Sequence, residues 1–295
     1  MCVQILRMPA TAYLLQAALI ALWWLAMYAS PAVYGAFQFP GIPPVAFNAF
    51  LLPDLTVVLV ASAVRAYRAS LGLSYFILGG FAYAALYCLN ATLLTGGGWL
   101  PTSVMGLGLA YNGFLIFGAA SFRTAGTDNH WVNAGKTFIQ IICVWTITLV
   151  VLPGVLLEAF GELQVPSGGH LYFAGLLFVA FSGLGLWSAY AMVRWGRGTP
   201  LPLDQTQVLV ISGPYRLVRN PMAVAGVGQG LAVALGFGSW AVLVYSLLGA
   251  VLWHWVVRPL EEADLLGRFG GAYAAYRGRV GLWWPWSRAR SGAGL

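Results

Sequence analysis

The sequence predicts an all-helical integral membrane protein, and three observations carry that prediction. Of the 295 residues, 60% are hydrophobic and only 8% are charged, against roughly 25% charged in soluble domains. The mean hydropathy is +0.79, and apolar windows of about 20 residues, the length that crosses the hydrocarbon of a bilayer, recur along the chain. So few charges cannot solvate a 31.6 kDa globule, which excludes a soluble enzyme, and the aromatic content of 15% excludes a disordered chain.

About eight such windows are predicted to span the membrane. The first follows Arg7 and resembles a signal peptide, but Pro31 would follow the cleavage site, so we interpret it as an uncleaved first span. No charged residue occurs from 69 to 122; one helix of that length would far exceed a membrane, so a turn is predicted at Gly96-Gly97-Gly98. The last two windows could instead form a hairpin that does not fully cross. The windows are 10–30, 46–65, 72–95, 99–122, 137–157, 171–193, 221–237 and 239–257.

The basic residues predict the orientation of these spans. With eight spans, all the Lys and Arg residues fall on one side, while the loop at 158–170 has acidic residues and none that are basic. By the positive-inside rule, both termini are then cytoplasmic. The net charge of +7 and the pI of about 9.5 do not indicate a nucleic-acid partner, because the basic residues lie between apolar runs and form no stripe along a groove.

Polar chemistry divides the chain at about residue 165. Residues 1–165 are predicted to be a five-helix membrane region of unknown role, and residues 166–295 a core with an amphipathic C-terminal segment that holds every dense polar cluster. No metal site is predicted, because the histidines lie far apart and the cysteines have no ligand spacing and read as packing residues. These residues are His130, His170, His254, Cys2, Cys88 and Cys143.

Two polar clusters flank the last predicted pair of spans. The first is Gly213-Pro214-Tyr215-Arg216-Leu217-Val218-Arg219-Asn220-Pro221-Met222, and the second runs from Arg258 through Glu261, Glu262 and Asp264 to Phe269, Tyr273 and Tyr276. The spans between them are joined by a tight turn at 236–238, so their other ends must lie side by side. The clusters are therefore predicted to face each other at the membrane surface.

The pattern Gly-Pro-Tyr-Arg-x-x-Arg-Asn-Pro, followed after one hairpin by Glu-Glu-x-x-Leu-x-x-x-Phe-Gly-x-x-Tyr-x-x-Tyr, resembles the integral-membrane methyltransferases typified by isoprenylcysteine carboxyl methyltransferase and the phospholipid methyltransferases. The resemblance covers about residues 171–286. Asn220, Ala223 and Ala225 stand where the family usually has His, Tyr and Gly. Asn, unlike His, cannot titrate near neutrality, although it still forms hydrogen bonds.

The resemblance implies S-adenosylmethionine as methyl donor and a lipophilic or prenylated acceptor from the bilayer, with the active site on the cytoplasmic side. It places Arg219, Asn220 and Pro221 at the amino-acid end of the donor. Arg216, Arg219 and His254 are the predicted catalytic residues. Arg216 is expected to anchor the acceptor's carboxylate or phosphate. His254, which shares a helical face with Arg258 and Glu262, is expected either to deprotonate an amine acceptor or to contact the donor. The implied donor-binding residues are Gly183, Gly185, Tyr215, Arg219, Asn220, Pro221, Met222, Glu261 and Glu262.

Each of these residues also has an ordinary interpretation. The arginines could reach for anionic lipid headgroups, the glutamates could form an acidic first helical turn, Gly183 and Gly185 could serve helix packing, and His254 could be an interfacial histidine. Asp54 is either a functional acid or a helix cap. The residues predicted to pack the C-terminal segment onto the site and anchor it at the interface are Tyr273, Tyr276, Trp283, Trp284 and Trp286.

Two other functions remain open from the sequence. Membrane sterol reductases, which use NADPH, share a similar Arg-His-Pro block but lack the Glu-Glu-x-x-Leu run. A transporter or a non-catalytic scaffold would explain the bare first spans, although a transporter is expected to have more polar groups near mid-membrane. Membrane lipid is a predicted partner in every case, and a homo-oligomer is possible.

Overall fold

The computed structural model describes residues 10–164 and 167–285, without the side chains of residues 119 and 121. Its described residues are helical, apart from turns, loops and two isolated β-bridges. The predicted features at Cys2, Arg7 and Trp286 lie outside these residues. Seven helices are long and apolar enough to cross a membrane. They confirm the predicted fold class, an all-helical multi-pass membrane protein.

The helices follow the predicted windows closely. They are α1 (Ala10–Ala29), α2 (Pro44–Tyr67), α3 (Leu71–Thr95), α4 (Trp99–Ser121), α5 (His130–Ala159), α6 (His170–Gly196), α7 (Pro221–Phe237), α8 (Trp240–Leu252) and α9 (Arg258–Arg279). A π-helical turn joins α8 to α9, so the last spanning helix extends from Trp240 to Arg279, with a break in its helical conformation at Gly270.

The eighth predicted span, α7, is the shortest. Its 17 residues measure roughly 25 Å at about 1.5 Å per residue, the lower limit for crossing a bilayer. The structure therefore gives seven helices of spanning length and one short apolar helix among the described residues. The exact number of crossings and the side of each terminus stay predictions.

The predicted turn between α3 and α4 is confirmed. Helix α3 ends at Thr95, and Gly96 follows in the left-handed conformation with φ of 70°. Gly98 also has a positive φ, and an added Cβ there would collide with the ring of Phe39. Glycine is required at this turn both for the backbone conformation and for the close approach of the Phe39 ring.

Two π-helical segments have the same local cause. Thr146–Val151 in α5 and Trp253–Val257 before α9 each end two residues before a proline, Pro153 or Pro259. A proline inside a helix cannot donate to the carbonyl four residues back, and its ring crowds that carbonyl. The preceding residue in each case bonds five residues back, as Arg258 does to Trp253. The wider turn accommodates the proline without breaking the helix.

The chain forms two compact units. The first contains the described residues up to Ala120 together with Gly154–Leu163, and the second contains Ser121–Pro153 and the described residues from Gln164 onward. Helix α5 therefore contributes its first part to the second unit. Between 6% and 33% of the most apolar window of each spanning helix is buried, so most of their apolar side chains face outward, as lipid contact requires.

The first unit has a polar layer between its helices. Gln16 of α1 donates to Ser62 of α2 and accepts from Asn112 of α4, at 2.8 Å each. Arg65, which the orientation analysis placed in a cytoplasmic segment, is 2% exposed, donates to Ser74 at 2.7 Å and lies over the ring of Tyr13. Such bonds fix helix pairs that apolar packing alone would leave free to slide.

Candidate active site

The helical hairpin α7–α8 brings the two polar clusters into contact. Gly238 ends α7 in the left-handed conformation, and the Ser239 side chain caps α8 by accepting from the backbone N–H of Val242. Because the hairpin is tight, the start of α7 lies against the start of α9. Arg219 Nη1 lies 2.6 Å from Glu262 Oε1, and Asn220 Nδ2 donates to Glu261 Oε2 at 3.2 Å. The predicted juxtaposition is confirmed.

Asn220 links α7 to α9 with both atoms of its amide. Its Oδ1 accepts from the backbone N–H of Ala223 at 3.0 Å and so caps α7, while its Nδ2 binds Glu261. Pro221 follows at the first helical position, where a missing N–H costs nothing. Asn at 220 therefore has a clear local role, since it is among the best helix-capping residues.

Glu262 is surrounded by arginines. Besides Arg219, its carboxylate lies 3.9 Å from Arg258 and 3.8 Å from Arg277. The side chains of Arg219 and Glu262 are only 14% and 17% exposed, so this ion pair is partly shielded from water and stronger than a surface pair. Its geometry fixes the Arg219 guanidinium. The Nε of Arg219 is nevertheless buried and has no hydrogen-bond partner among residues 10–164 and 167–285.

Glu261 faces a different environment from its neighbour. It accepts from Asn220 Nδ2 at 3.2 Å. Unlike Glu262, it lines a cavity of the second unit. Adjacent glutamates on one helix point in different directions, so one contributes to the cavity wall and the other to the ion-pair cluster behind it.

Tyr215 stands on the short 3₁₀ turn Gly213–Arg216 and is 4% exposed. Its backbone carbonyl accepts from the Tyr276 hydroxyl at 2.7 Å, but its own hydroxyl is buried and has no partner in the part of the chain that the structure describes. Burial, with the nearby Tyr276 and Glu261, raises the pKa of the Tyr215 phenol well above its usual value, so the hydroxyl stays protonated. A buried hydroxyl without a partner is costly. Tyr215 is also one of the residues that line the cavity described below.

The cavity has a volume of about 400 Å³, within the range of about 300–1,000 Å³ typical of small-molecule sites. One part of its wall is polar, with Tyr215, Arg219, Asn220 and Glu261. The remainder is largely aromatic and aliphatic and includes Trp145, Met192, Leu209, Met222, Trp253, Leu265, Tyr273 and Tyr276. This combination of an apolar body and a few convergent polar groups is typical of a cofactor or substrate site.

The C-terminal segment closes over the site as predicted. Tyr273 and Tyr276 are 2% and 4% exposed and line the cavity. Gly270 breaks α9 with φ of 50° and ψ of −125°, a conformation that essentially only glycine adopts. After α9, the backbone N–H of Arg219 donates to the carbonyl of Gly281 at 2.9 Å, which ties the segment to the first cluster.

Several predicted site residues do not line the cavity. Arg216 is exposed on the same turn as Tyr215. His254 accepts from Trp283 Nε1 at 3.1 Å through its Nδ1 and stacks on that ring. Gly185 and Met222 do line the cavity, and Gly185 also packs closely on Ala225. The predicted residues outside the wall are Arg216, His254, Gly183, Pro221 and Glu262.

Two further elements supply wall residues that the sequence did not indicate. One face of α5 lines the cavity with Ile141, Val144, Trp145 and Thr148. Because the span is apolar on all its faces, the sequence alone does not distinguish this face from the others. The segment 199–207 lines the cavity because its backbone pairs with residues 123–125. No local pattern in the sequence announces that pairing.

Arg268 is the most notable residue that the sequence analysis missed. It lines the cavity, and its Nη1 donates to the carbonyl of Thr206 at 2.7 Å while its Nε binds Asp264 at 2.8 Å. It thereby joins α9 to the segment 199–207. The i,i+4 spacing of Asp264 and Arg268 was the available signal. Across residues 10–164 and 167–285, no group of three or more His, Cys, Asp or Glu side chains is placed to hold a metal ion.

The outward-facing apolar helices and the cavity with its aromatic and polar wall are together typical of an integral membrane protein with a small-molecule site. The family model for phospholipid methyltransferases matches residues 170–271, which include α6 to α8 and most of α9. This part of the chain is similar to the phospholipid methyltransferases, as the resemblance predicted. Members of that family are membrane methyltransferases that act on lipids. Searches of curated proteins and of solved structures found no match.

Proposed function

We propose that the protein transfers a methyl group from S-adenosylmethionine to a lipid-like or prenylated acceptor, and that the donor binds in the cavity of the second unit. The observation that carries this proposal is that two residues of the cavity wall, Tyr215 and Arg219, have buried donors without a partner among the described residues, the Tyr215 hydroxyl and the Arg219 Nε. Both donate, and a carboxylate such as that of an amino acid accepts. The Glu261 carboxylate in the same wall suits an ammonium group.

The residues present fit a donor of this kind. S-adenosylmethionine supplies a methyl group activated by its positively charged sulfur. Trp145, Trp253 and the two tyrosines of α9 provide aromatic faces, which attract a cation and exclude water. The Glu262 carboxylate holds the Arg219 guanidinium in place. The Nε–H of Arg219 is therefore oriented before a ligand arrives. Alignment of the reactants, with no residue acting as nucleophile, is what an in-line methyl displacement requires.

The acceptor is proposed to enter from the bilayer along α5. Ile141 and Val144 line the cavity, while Phe138 and Ile139 on the same helix are 64% and 62% exposed, so the wall of the cavity continues into a lipid-facing surface. Arg216, exposed beside the first cluster, is placed to anchor an anionic headgroup. Because Trp283 already donates to Nδ1 of His254, the proposed role of His254 as a proton acceptor falls to its Nε2. We place this site on the cytoplasmic side because the basic residues cluster there.

Calorimetric titration of the purified protein with S-adenosylmethionine tests the donor site. We expect saturable binding to the wild type and a loss of about tenfold or more in affinity for Arg219→Ala, since a charge-assisted hydrogen bond is worth about 1.5–3 kcal/mol. Arg194→Ala, on the exposed end of α6, is the matched control and should bind as the wild type does. Binding of NADPH in place of S-adenosylmethionine would favour the reductase instead.

A further inference from the structure

The first unit contains a second, smaller cavity with an unusual wall. Its volume is about 40 Å³, room for about three water molecules or a chemical group of that size. Apart from one carboxylate, that of Asp54, the wall is almost entirely aromatic and aliphatic. The six aromatic rings come from α1, α2, α3 and the chain between α1 and α2, and are those of Trp23, Trp24, Phe39, Phe47, Phe50 and Tyr87.

The rings enclose the cavity from different directions. Trp24 is inclined at 47° to Phe47, with ring centroids 5.7 Å apart, and Trp23 is nearly perpendicular to Phe47. On another side, Phe50 is inclined at 59° to Tyr87. Six aromatic rings around one small space offer π-electron surfaces, which attract organic cations.

Asp54 has no cationic partner in the described part of the chain. It does not cap a helix, the ordinary role considered for it. Its Oδ2 accepts from Trp24 Nε1 at 3.0 Å, and no Lys, Arg or His of residues 10–164 and 167–285 forms an ion pair with it. A carboxyl group in an apolar span is costly in its ionised form unless a positive charge accompanies it, so a bound cation would stabilise the carboxylate of Asp54.

From these observations we propose that the Trp23/Trp24/Asp54 cavity of the first unit binds the head of a small methylated organic ammonium ion, whose charge is balanced by Asp54 and whose methyl groups lie against the aromatic rings. An inorganic cation is a poorer match, because the wall offers few oxygen ligands to replace its water. The proposal does not depend on the methyl-donor site, since the two cavities share no residue.

Titration of the purified full-length protein with choline, followed by tryptophan fluorescence and calorimetry, tests the proposal. The matched probe is the neutral carbon isostere of choline, in which a quaternary carbon replaces the nitrogen. We expect saturable binding of choline and about tenfold or weaker binding of the isostere, because the charge contributes on the order of a cation–π pair and an ion pair.

Two variants connect the binding to this cavity. Asp54→Asn keeps the shape of the side chain and removes its charge, and should weaken choline binding about tenfold or more; Trp23→Leu should also weaken it. Trp99→Leu, at the exposed start of α4 and outside the cavity wall, is the control and should bind normally. Unfolding midpoints and S-adenosylmethionine titration of each variant check its fold. No choline binding to the wild type, equal binding of the isostere, or no effect of Asp54→Asn would overturn the proposal.

Discussion

Two neighbouring residues, Glu261 and Glu262, illustrate how far a sequence motif determines chemistry. The motif predicts the same donor-binding role for both carboxylates. In the structure only Glu261 lines the cavity, while Glu262 lies among Arg219, Arg258 and Arg277. Whether a side chain contacts a ligand or positions another residue depends on its direction on the helix. The proposed roles therefore differ: Glu261 contacts the donor, and Glu262 positions Arg219.

Replacing each glutamate by glutamine separates these roles. Glu261→Gln should lower S-adenosylmethionine affinity about tenfold with little change in the unfolding midpoint. Glu262→Gln should lower the affinity and also the unfolding midpoint. The free energy of unfolding should fall by about 1–3 kcal/mol, because three arginines lose their counter-ion. Calorimetry and thermal unfolding in detergent measure the two effects. Identical behaviour of the two variants would contradict this division.

The Tyr215 hydroxyl gives a sharper test at the scale of a single atom. Because it is buried without a partner, Tyr215→Phe should leave the stability unchanged or raise it slightly, whereas most substitutions of a buried residue lower it. If the hydroxyl donates to the bound methyl donor, affinity should fall about three- to tenfold. A lower unfolding midpoint with unchanged affinity would mean that the hydroxyl is structural.

At the scale of secondary structure, the hairpin was predictable and the cavity wall only in part. Apolar length and the glycines at 236 and 238 were enough to predict that 219–220 would meet 261–262, and the structure confirms it. The contributions of α5 and of segment 199–207 were not predictable, because an apolar span has no marked face and the bridge between Thr124 and Gln205 is long-range. The π-helical turns likewise depend on how each proline is accommodated.

The packing of the C-terminal part of α9 over the site depends on the backbone conformation of Gly270. Its φ of 50° is strained for any other residue, so Gly270→Ala should cost about 1–3 kcal/mol and weaken donor binding by displacing Tyr273 and Tyr276. Gly271→Ala is the adjacent control; an added Cβ there meets no atom, and alanine favours the helix. Thermal unfolding and calorimetry compare the two. Equal effects would show that the break in α9 is unimportant.

At the scale of the whole molecule, the proposed orientation follows from the basic residues alone. It predicts that the loop containing Asp128 is cytoplasmic and that the loop containing Leu163 is on the opposite side. In a variant without the native cysteines, a single cysteine at Leu163 should react with a membrane-impermeant thiol reagent applied to intact cells, and one at Asp128 should react only after permeabilisation. The reverse pattern would place the proposed site on the outer side.

The chain combines two units with separate cavities, one within the region that matches the methyltransferase family and α5, the other in the first unit. The apolar first spans gave no functional signal at the sequence level beyond Asp54, because the aromatic rings that accompany it are distributed over several helices. The central claim concerns the second unit, where the two polar clusters and the aromatic wall are proposed to bind a methyl donor beside the bilayer.

The most direct test of that claim is methyl transfer by the purified protein in lipid nanodiscs supplied with methyl-labelled S-adenosylmethionine. We expect label to appear in a lipophilic product with the wild type and with Arg194→Ala, and to fall about 100-fold with Arg219→Ala, because misplacing the donor costs that much in rate. A wild type that neither binds the donor nor transfers label to any lipid or prenylated compound supplied would contradict a methyl-donor site in the second unit.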